Sequence, residues 1–131
     1  MKYFKHIIVL ILISLFLIGC RTSPVLNIND APVNSSTATL EDVTNGIIRA
    51  GNGLGWQMRK QQPGHIVGTL HLRTHMAEVD ITYDTRTYNI NYKNSTNLNY
   101  NADKNIIHSN YNGWIQNLDN AIKTQVYNSS T

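Results

Sequence analysis

The fold is decided by residues 66–92, which read IVGTLHLRTHMAEVDITYDTRTYNINY. Apolar and polar side chains alternate along three runs of this stretch, and a fourth run of the same kind precedes it at Leu54–Met58. Such alternation is typical of strands that bury one face, because successive side chains of a strand point to opposite sides. Pro63-Gly64 and two short polar interruptions favour tight turns, so the sequence predicts four strands in an antiparallel meander.

The pairing of these strands can also be predicted. A tight turn centred on His75-Met76 would place Arg73 opposite Glu78 and His71 opposite Asp80 on the polar face. Opposite charges would then meet across the hairpin, while apolar residues meet on the other face. The next turn, through Thr85-Arg86, would similarly pair Ile81 with Ile90 and Asp80 with Asn91.

Two segments have the periodicity of amphipathic helices. Thr39 precedes apolar residues spaced three or four apart, and with Asp42 it approximates a capping box. The stronger segment begins at Ser109 or Asn110 as its cap. Its apolar positions are Tyr111, Trp114, Ile115, Leu118, Ile122 and Val126. The sequence therefore predicts an α+β fold, in which an N-terminal and a C-terminal helix pack on one face of the four-stranded antiparallel sheet.

The first 20 residues have the organisation of an export signal. Lys2 and Lys5 precede an apolar run, Ile7–Ile18, that is shorter than the ~20 residues a membrane-spanning helix needs. Leu17-Ile18-Gly19-Cys20 resembles the lipobox of bacterial lipoprotein precursors, which implies cleavage after Gly19 and acylation of Cys20. Cys20 is the only cysteine in the sequence, so it has no disulfide partner within the chain. The alternative is an ordinary secretory signal with a chance cysteine.

Composition divides the chain into four parts. Residues 1–19 are the predicted signal peptide, and residues 20–38, rich in Ser, Thr, Asn and Pro, suit a lipidated tether. A short apolar patch at Val25–Ile28 leaves an edge strand open as an alternative within that tether. Residues 39–127 are long enough for a single α+β domain, and residues 128–131 are predicted to be a disordered tail.

The charge of the mature chain is nearly balanced. Removal of Lys2 and Lys5 with the signal leaves nine basic and eight acidic residues. The apparent basicity of the whole sequence therefore gives no support for a nucleic acid partner, nor for attraction of the domain as a whole to an anionic surface.

The sequence contains no complete catalytic set. Its cysteine is assigned to lipid, and neither a Gly-x-Ser-x-Gly elbow nor a phosphate-binding glycine loop is present. His71 and His75 share a strand face but lie about 13 Å apart, too far to hold one metal ion, so no metal or cofactor is predicted. His71 opposite Asp80 would resemble an oriented general base, although polar sheet faces often carry such pairs. We predict a protein that is not an enzyme, with a hydrolase that uses His71 and Asp80 as an alternative.

Amides and aromatics surround the start of the last helix, in the stretch Ser95–Trp114. They fit either a binding site or the core and caps of the helix. Together with the polar sheet face, this stretch supplies the candidate partner-binding residues. These are His71, Arg73, Asp80, Asn97, Tyr100, His108, Asn110 and Asn112.

Several segments between Ile47 and Ile122 form a combined pattern. They are Ile47–Gly51, Gly55-Trp56, Pro63-Gly64, Leu72–His75, Val79–Asp84, Ser95–Tyr100, Ile107-His108, Asn110–Asn112 and Trp114–Leu118. Together they resemble a family of small lipoproteins of Gram-negative bacteria that has no established activity. Gly113 stands where that family usually has arginine or another polar residue. In Gram-negative lipoproteins an aspartate after the acylated cysteine usually retains the protein in the inner membrane, so Arg21 implies the outer membrane, on its periplasmic side.

These observations predict an envelope lipoprotein that is held on a membrane by the lipid on Cys20. Its domain would bind an envelope protein or a glycan. A second hypothesis is an inhibitor or sequestering module for a periplasmic hydrolase. Exposed aromatics in one loop would favour that hypothesis, and burial of Tyr111 and Trp114 would weaken it.

Overall fold

A computed structural model describes residues 21–129. Within this range the chain forms two helices, α1 (Leu40–Gly53) and α2 (Ser109–Ser129), and two antiparallel sheets. The strands are β1 (Thr22–Pro24), β2 (Ile28–Pro32), β3 (Gln57–Gln62), β4 (His65–Leu72), β5 (His75–Tyr83), β6 (Thr87–Thr96) and β7 (Ile106–His108). The predicted α+β class is confirmed. The predicted signal peptide and Cys20 lie outside the described residues.

The larger sheet has five strands in the order β2-β6-β5-β4-β3, and the smaller sheet pairs β1 with β7. The predicted meander corresponds to β3–β6, and β2 adds a fifth strand at its edge. The prediction of a tether over residues 20–38 is wrong for Thr22–Pro32, because this segment pairs with β7 and β6. The prediction of a disordered tail is also wrong for Asn128 and Ser129, which belong to α2.

The register of the central strands agrees with the sequence at one hairpin and differs at the other. Between β5 and β6, Ile81 lies opposite Ile90 and Asp80 opposite Asn91, as predicted. Between β4 and β5, Leu72 lies opposite His75, so the turn is Arg73-Thr74 and the predicted register is wrong by four residues. An even shift keeps every side chain on its predicted face, because side chains alternate with a period of two.

Both helices and the large sheet contribute to one hydrophobic core. The fully buried residues of α2 recur at three and four, and they are Tyr111, Ile115, Leu118 and Ile122. In α1, Thr39 accepts a hydrogen bond from the Asp42 N–H and Asp42 accepts one from the Thr39 N–H, which completes the predicted capping box. The predicted phases of both helices are therefore confirmed.

A glycine sets the closest approach of the two helices. A Cβ atom added to Gly46 of α1 would lie 2.8 Å from Val126 Cγ2 and 2.9 Å from Val126 Cα. The second of these atoms is backbone, so the contact cannot be relieved by a change of rotamer. We expect Gly46→Ala to destabilise the domain by about 1–2 kcal/mol, in spite of the better helix propensity of alanine. Urea unfolding measures this change.

The matched control is Gly113→Ala in α2. Nothing lies within 4 Å of a Cβ atom at that position, so only helix propensity changes. The free energy of unfolding of this variant is expected to rise by about 0.5–1 kcal/mol. Glycine-to-alanine substitution would then lower the free energy of unfolding at position 46 and raise it at position 113. A change in the same direction at both positions would contradict the close helix contact at Gly46.

Candidate functional site

The polar face of the large sheet carries a network of paired charges. The His65 Nε2–H donates to Asp80 Oδ1 at 2.7 Å, and Lys93 Nζ lies 3.6 Å from the same oxygen. Glu78 accepts hydrogen bonds from Arg59 at 3.3 Å and from Thr69 at 3.1 Å. Each carboxylate of this face therefore already has a cationic partner within the sheet.

Lys93 lies at a bulge in β6. The register shifts between Glu78, which lies opposite Asn94, and Val79, which lies opposite Tyr92, so Lys93 is the extra residue. Asn91 and Lys93 alternate with Tyr92, and Lys93 therefore reaches Asp80 from the polar face.

The predicted pairing of His71 with Asp80 is wrong. His71 lies opposite Met76, and Asp80 lies opposite Val67. Four residues of β4 separate the two positions, which amounts to about 13 Å along the strand. The imidazole that meets Asp80 belongs to His65, a residue that the sequence analysis did not select.

A shallow groove lies at the end of β6. This groove has a volume of about 580 Å³ and is lined by residues 92–95 and 97–100. The rings of Tyr92 and Tyr100 stack along one side with their centroids 4.1 Å apart. Tyr111 meets Tyr92 edge-on at 5.8 Å and connects the stack to the core. We call this feature the Tyr92–Tyr100 groove.

The loop that forms the groove contains two residues with an uncommon backbone conformation. Asn97 has φ 57° and Asn99 has φ 52°, a left-handed conformation that asparagine tolerates better than most residues. Leu98 between them is buried, and its carbonyl accepts a hydrogen bond from the His108 N–H at 2.8 Å. Asn97 and Asn99 are both exposed on the other side of the loop.

The tyrosines in and below the groove are uncharged. Burial raises the pKa of Tyr92, a change that the Ser95 hydroxyl at 2.7 Å opposes. Burial likewise raises the pKa of Tyr111, which is fully buried. Both phenols are neutral at physiological pH, and no carboxylate lines the groove.

The groove adjoins the tip of the β4–β5 hairpin. Asn97 Nδ2 donates to Thr74 Oγ1, and the backbone carbonyl of Asn97 accepts from His75 Nδ1–H, both at 2.7 Å. The ring of His75 lies 6.4 Å from those of His108 and Trp114. The loop, the hairpin tip and the start of α2 are thus joined at one end of the domain.

Asn112 has a structural role that its sequence position did not reveal. Its Oδ1 accepts from the Leu26 N–H at 3.0 Å, and its Nδ2 donates to the Pro24 carbonyl at 2.8 Å. One side-chain amide therefore continues the backbone pairing of β1. Both of its polar atoms are engaged by the domain's own chain.

The structure separates the eight candidate residues into groups. Asn97 and Tyr100 line the groove, while Arg73, His108 and Asn110 lie at the adjoining end of the domain. His71 and Asp80 lie on the polar sheet face and are not neighbours.

Sequence reasoning missed Tyr92, Lys93 and Asn94 as groove residues. It assigned Tyr92 to the apolar face of a strand, and the signal that could have revealed the others is the break in alternation after Tyr92.

Comparison with protein-family models, curated proteins and solved structures finds no match to this chain. Among residues 21–129, no group of three or more His, Cys, Asp or Glu side chains is placed to hold a metal ion. In the same part of the chain, neither helix is both long and apolar enough to cross a membrane. The function must therefore be argued from the residues themselves.

Proposed function

We propose that this protein is an envelope lipoprotein, acylated on Cys20, whose domain binds a saccharide in the Tyr92–Tyr100 groove without catalysing a reaction. The lipobox-like residues 17–20 support the anchor, and Arg21 supports the periplasmic side of the outer membrane.

The proposal of a saccharide ligand depends chiefly on the stacked tyrosine pair. Tyr100 is 40% exposed and its ring is held by Tyr92, so it offers a rigid aromatic face. A sugar ring has an apolar C–H face that packs on an aromatic ring, and its hydroxyls need amide donors and acceptors. Asn94, Asn97 and Asn99 line the same groove. Asn97 Nδ2 donates to Thr74 and Asn94 Oδ1 accepts from the Ser95 N–H, so Asn94 Nδ2, Asn97 Oδ1 and the Asn99 amide are the groups offered to a sugar.

The charge of the groove narrows the ligand class. The ammonium of Lys93, at the rim, lies 3.6 Å from Asp80 Oδ1, and no carboxylate lines the groove. A neutral saccharide is therefore favoured over a cationic one.

The other two functions have less support. A hydrolase inhibitor would be expected to present several aromatics, whereas Tyr111 is fully buried and Trp114 is half-buried. The hydrolase hypothesis depended on His71 beside Asp80, and these residues are not neighbours.

Site-specific crosslinking in cells tests the saccharide proposal. We would replace Tyr100 with the photoreactive residue p-benzoylphenylalanine and use Tyr127 as the control position, because both tyrosines are exposed. The expected result is a crosslinked form of the protein from position 100 whose added mass is reduced by periodate and contains no second polypeptide by mass spectrometry, with no such form from position 127. The saccharide proposal is wrong if the crosslinked form contains a second protein, or if the two positions give the same result.

The anchor is tested separately. Wild-type protein is expected to incorporate an alkyne-bearing fatty acid and to sediment with outer membranes. Cys20→Ala and Cys20→Ser, the second of which nearly keeps the side-chain size, are each expected to abolish fatty-acid incorporation and sedimentation with outer membranes. Incorporation of label into either variant would contradict the assignment of Cys20.

A further inference from the structure

The first described residue is already fixed to the fold. The Ser109 N–H at the start of α2 donates to the Arg21 carbonyl at 2.9 Å, and Thr22 lies opposite His108 in the small sheet. Consecutive Cα atoms are ~3.8 Å apart, so position 20 is one peptide unit from a rigid point of the domain.

The chain after Arg21 has no slack. The Val25 N–H donates to the Asn105 carbonyl at 3.0 Å, and Asn112 holds Pro24 and Leu26. The Tyr92 N–H then donates to Asn27 Oδ1 at 2.9 Å, and β2 follows on the sheet edge. A flexible tether over residues 21–38 would have an r.m.s. span of about 23 Å. The folded segment replaces that span with a fixed attachment.

The surface beside this attachment point has a distinct composition. The segments that form it are residues 21–28, 71–77 and 95–114, and they contain two arginines, one lysine and three histidines against a single acidic residue, Asp103. Leu72 is 46% exposed at the hairpin tip, and Trp114 is half-buried against His75. We call Arg21, Leu72, Arg73, His75, His108 and Trp114 the anchor patch.

We propose that the anchor patch rests on the phospholipid headgroups of the membrane that holds the acyl chains. This inference rests on the acylation of Cys20 and is independent of any ligand in the groove. Arginines are attracted to anionic headgroups, and tryptophan prefers the membrane–water interface. Because the connection to the lipid is short and rigid, it keeps these groups at the lipid surface and fixes the orientation of the domain.

The orientation also limits what the domain can reach. β5 runs away from the anchor patch from His75 to Tyr83, about 26 Å at strand spacing. The turn at Thr85 therefore lies at the opposite end of the sheet, and Asn97 donates to Thr74 of the hairpin tip at the near end. The groove therefore opens close to the membrane, and its saccharide must be carried at the membrane surface.

Fluorescence quenching measures this orientation on the acylated full-length protein. Thr74→Cys places a thiol beside the anchor patch and Thr85→Cys places one at the opposite end, both at exposed positions. Acylation blocks Cys20, so each variant has one free thiol for an NBD fluorophore. The labelled proteins are reconstituted in vesicles of phosphatidylethanolamine and phosphatidylglycerol that contain a lipid with a nitroxide on its headgroup.

Quenching at position 74 is expected to exceed quenching at position 85 severalfold. Arg73→Glu should reduce quenching at position 74, whereas Arg86→Glu, at the distant turn, should not. Equal quenching at both positions, or none at either, in protein whose mass includes the lipid overturns the proposed orientation. A mass without the lipid would instead contradict the proposed function, so the two failures are distinguishable.

Discussion

Leu118→Asp is expected to leave the domain unfolded at neutral pH. Leu118 is fully buried in the core face of α2. An aspartate there would remove an apolar side chain and bury a charge without a partner, a combination that costs more than about 4 kcal/mol. Domains of this size are stable by only about 5–15 kcal/mol in total. Far-UV circular dichroism and urea titration measure the loss.

Asn120→Asp is the control for this variant. Asn120 lies in the same helix two residues later and is exposed, so the new carboxylate stays in water. Its effect is expected to stay within about 0.5 kcal/mol. Similar losses in the two variants would mean that the buried face of α2 has been assigned incorrectly.

Alkaline pH is expected to destabilise the domain steeply. Burial, and then the hydrogen bond from its hydroxyl to Asp119 at 2.5 Å, raise the pKa of Tyr88 above its ordinary value of 10.0. Burial also raises the pKa of Tyr111. Above pH 10 the unfolded chain therefore releases phenolic protons that the folded chain retains. Stability is complete below this pH and falls as pH rises, by about 1.4 kcal/mol per pH unit for each tyrosine.

Two single variants separate the contributions to this pH dependence. Tyr88→Phe and Tyr111→Phe should each remove about half of the slope in urea titrations above pH 10, and the double variant should remove most of it. At neutral pH they should differ. Tyr88→Phe loses the hydrogen bond to Asp119 and should lower the free energy of unfolding by about 1 kcal/mol. The Tyr111 hydroxyl has no hydrogen-bond partner among residues 21–129, so Tyr111→Phe should leave the free energy of unfolding unchanged or raise it. An unchanged slope in the double variant would contradict this account.

The parts of the fold that were predicted correctly are those with a repeating pattern. Alternation assigned the buried and exposed faces of β5 and β6, and the spacing of Tyr111, Ile115 and Leu118 assigned the core face of α2. In β4 it was correct only in part, because Val67 and Thr69 of the predicted polar face are also buried and Leu72 is 46% exposed. The cap of α1 was predictable because both of its hydrogen bonds join residues three positions apart.

The incorrect predictions concern contacts that leave no pattern. The register of β4 and β5 depends on which two residues turn, and the left-handed Arg73, with φ 57°, is not a usual turn residue. β1 and β2 are short and carry Pro, Asp and Asn, so they resemble a linker in composition. They form strands because Asn112 hydrogen-bonds to Pro24 after β1 has paired with β7, and because β2 pairs with the edge of β6.

The candidate site was predicted only in part for the same reason. Asn97 and Tyr100 were selected from a run of amides and aromatics, but their partner Tyr92 had already been assigned to a strand face. Tyr92 is the last residue before the bulge at Lys93, and its ring contacts both Tyr100 in the groove and the buried Tyr111.

By itself, the sequence determined the α+β class, the faces of the central strands, the two helices and the expectation of a lipid on Cys20. These follow from local periodicity and from short motifs, whose physical cause lies within a few neighbouring residues. Tertiary structure alone decided that residues 22–32 belong to the domain, that His65 rather than His71 meets Asp80, and that Tyr92 stacks on Tyr100. Each of these depends on strand partners distant in sequence, because an edge strand, a register and a ring stack acquire their stability only when the complementary surface is present.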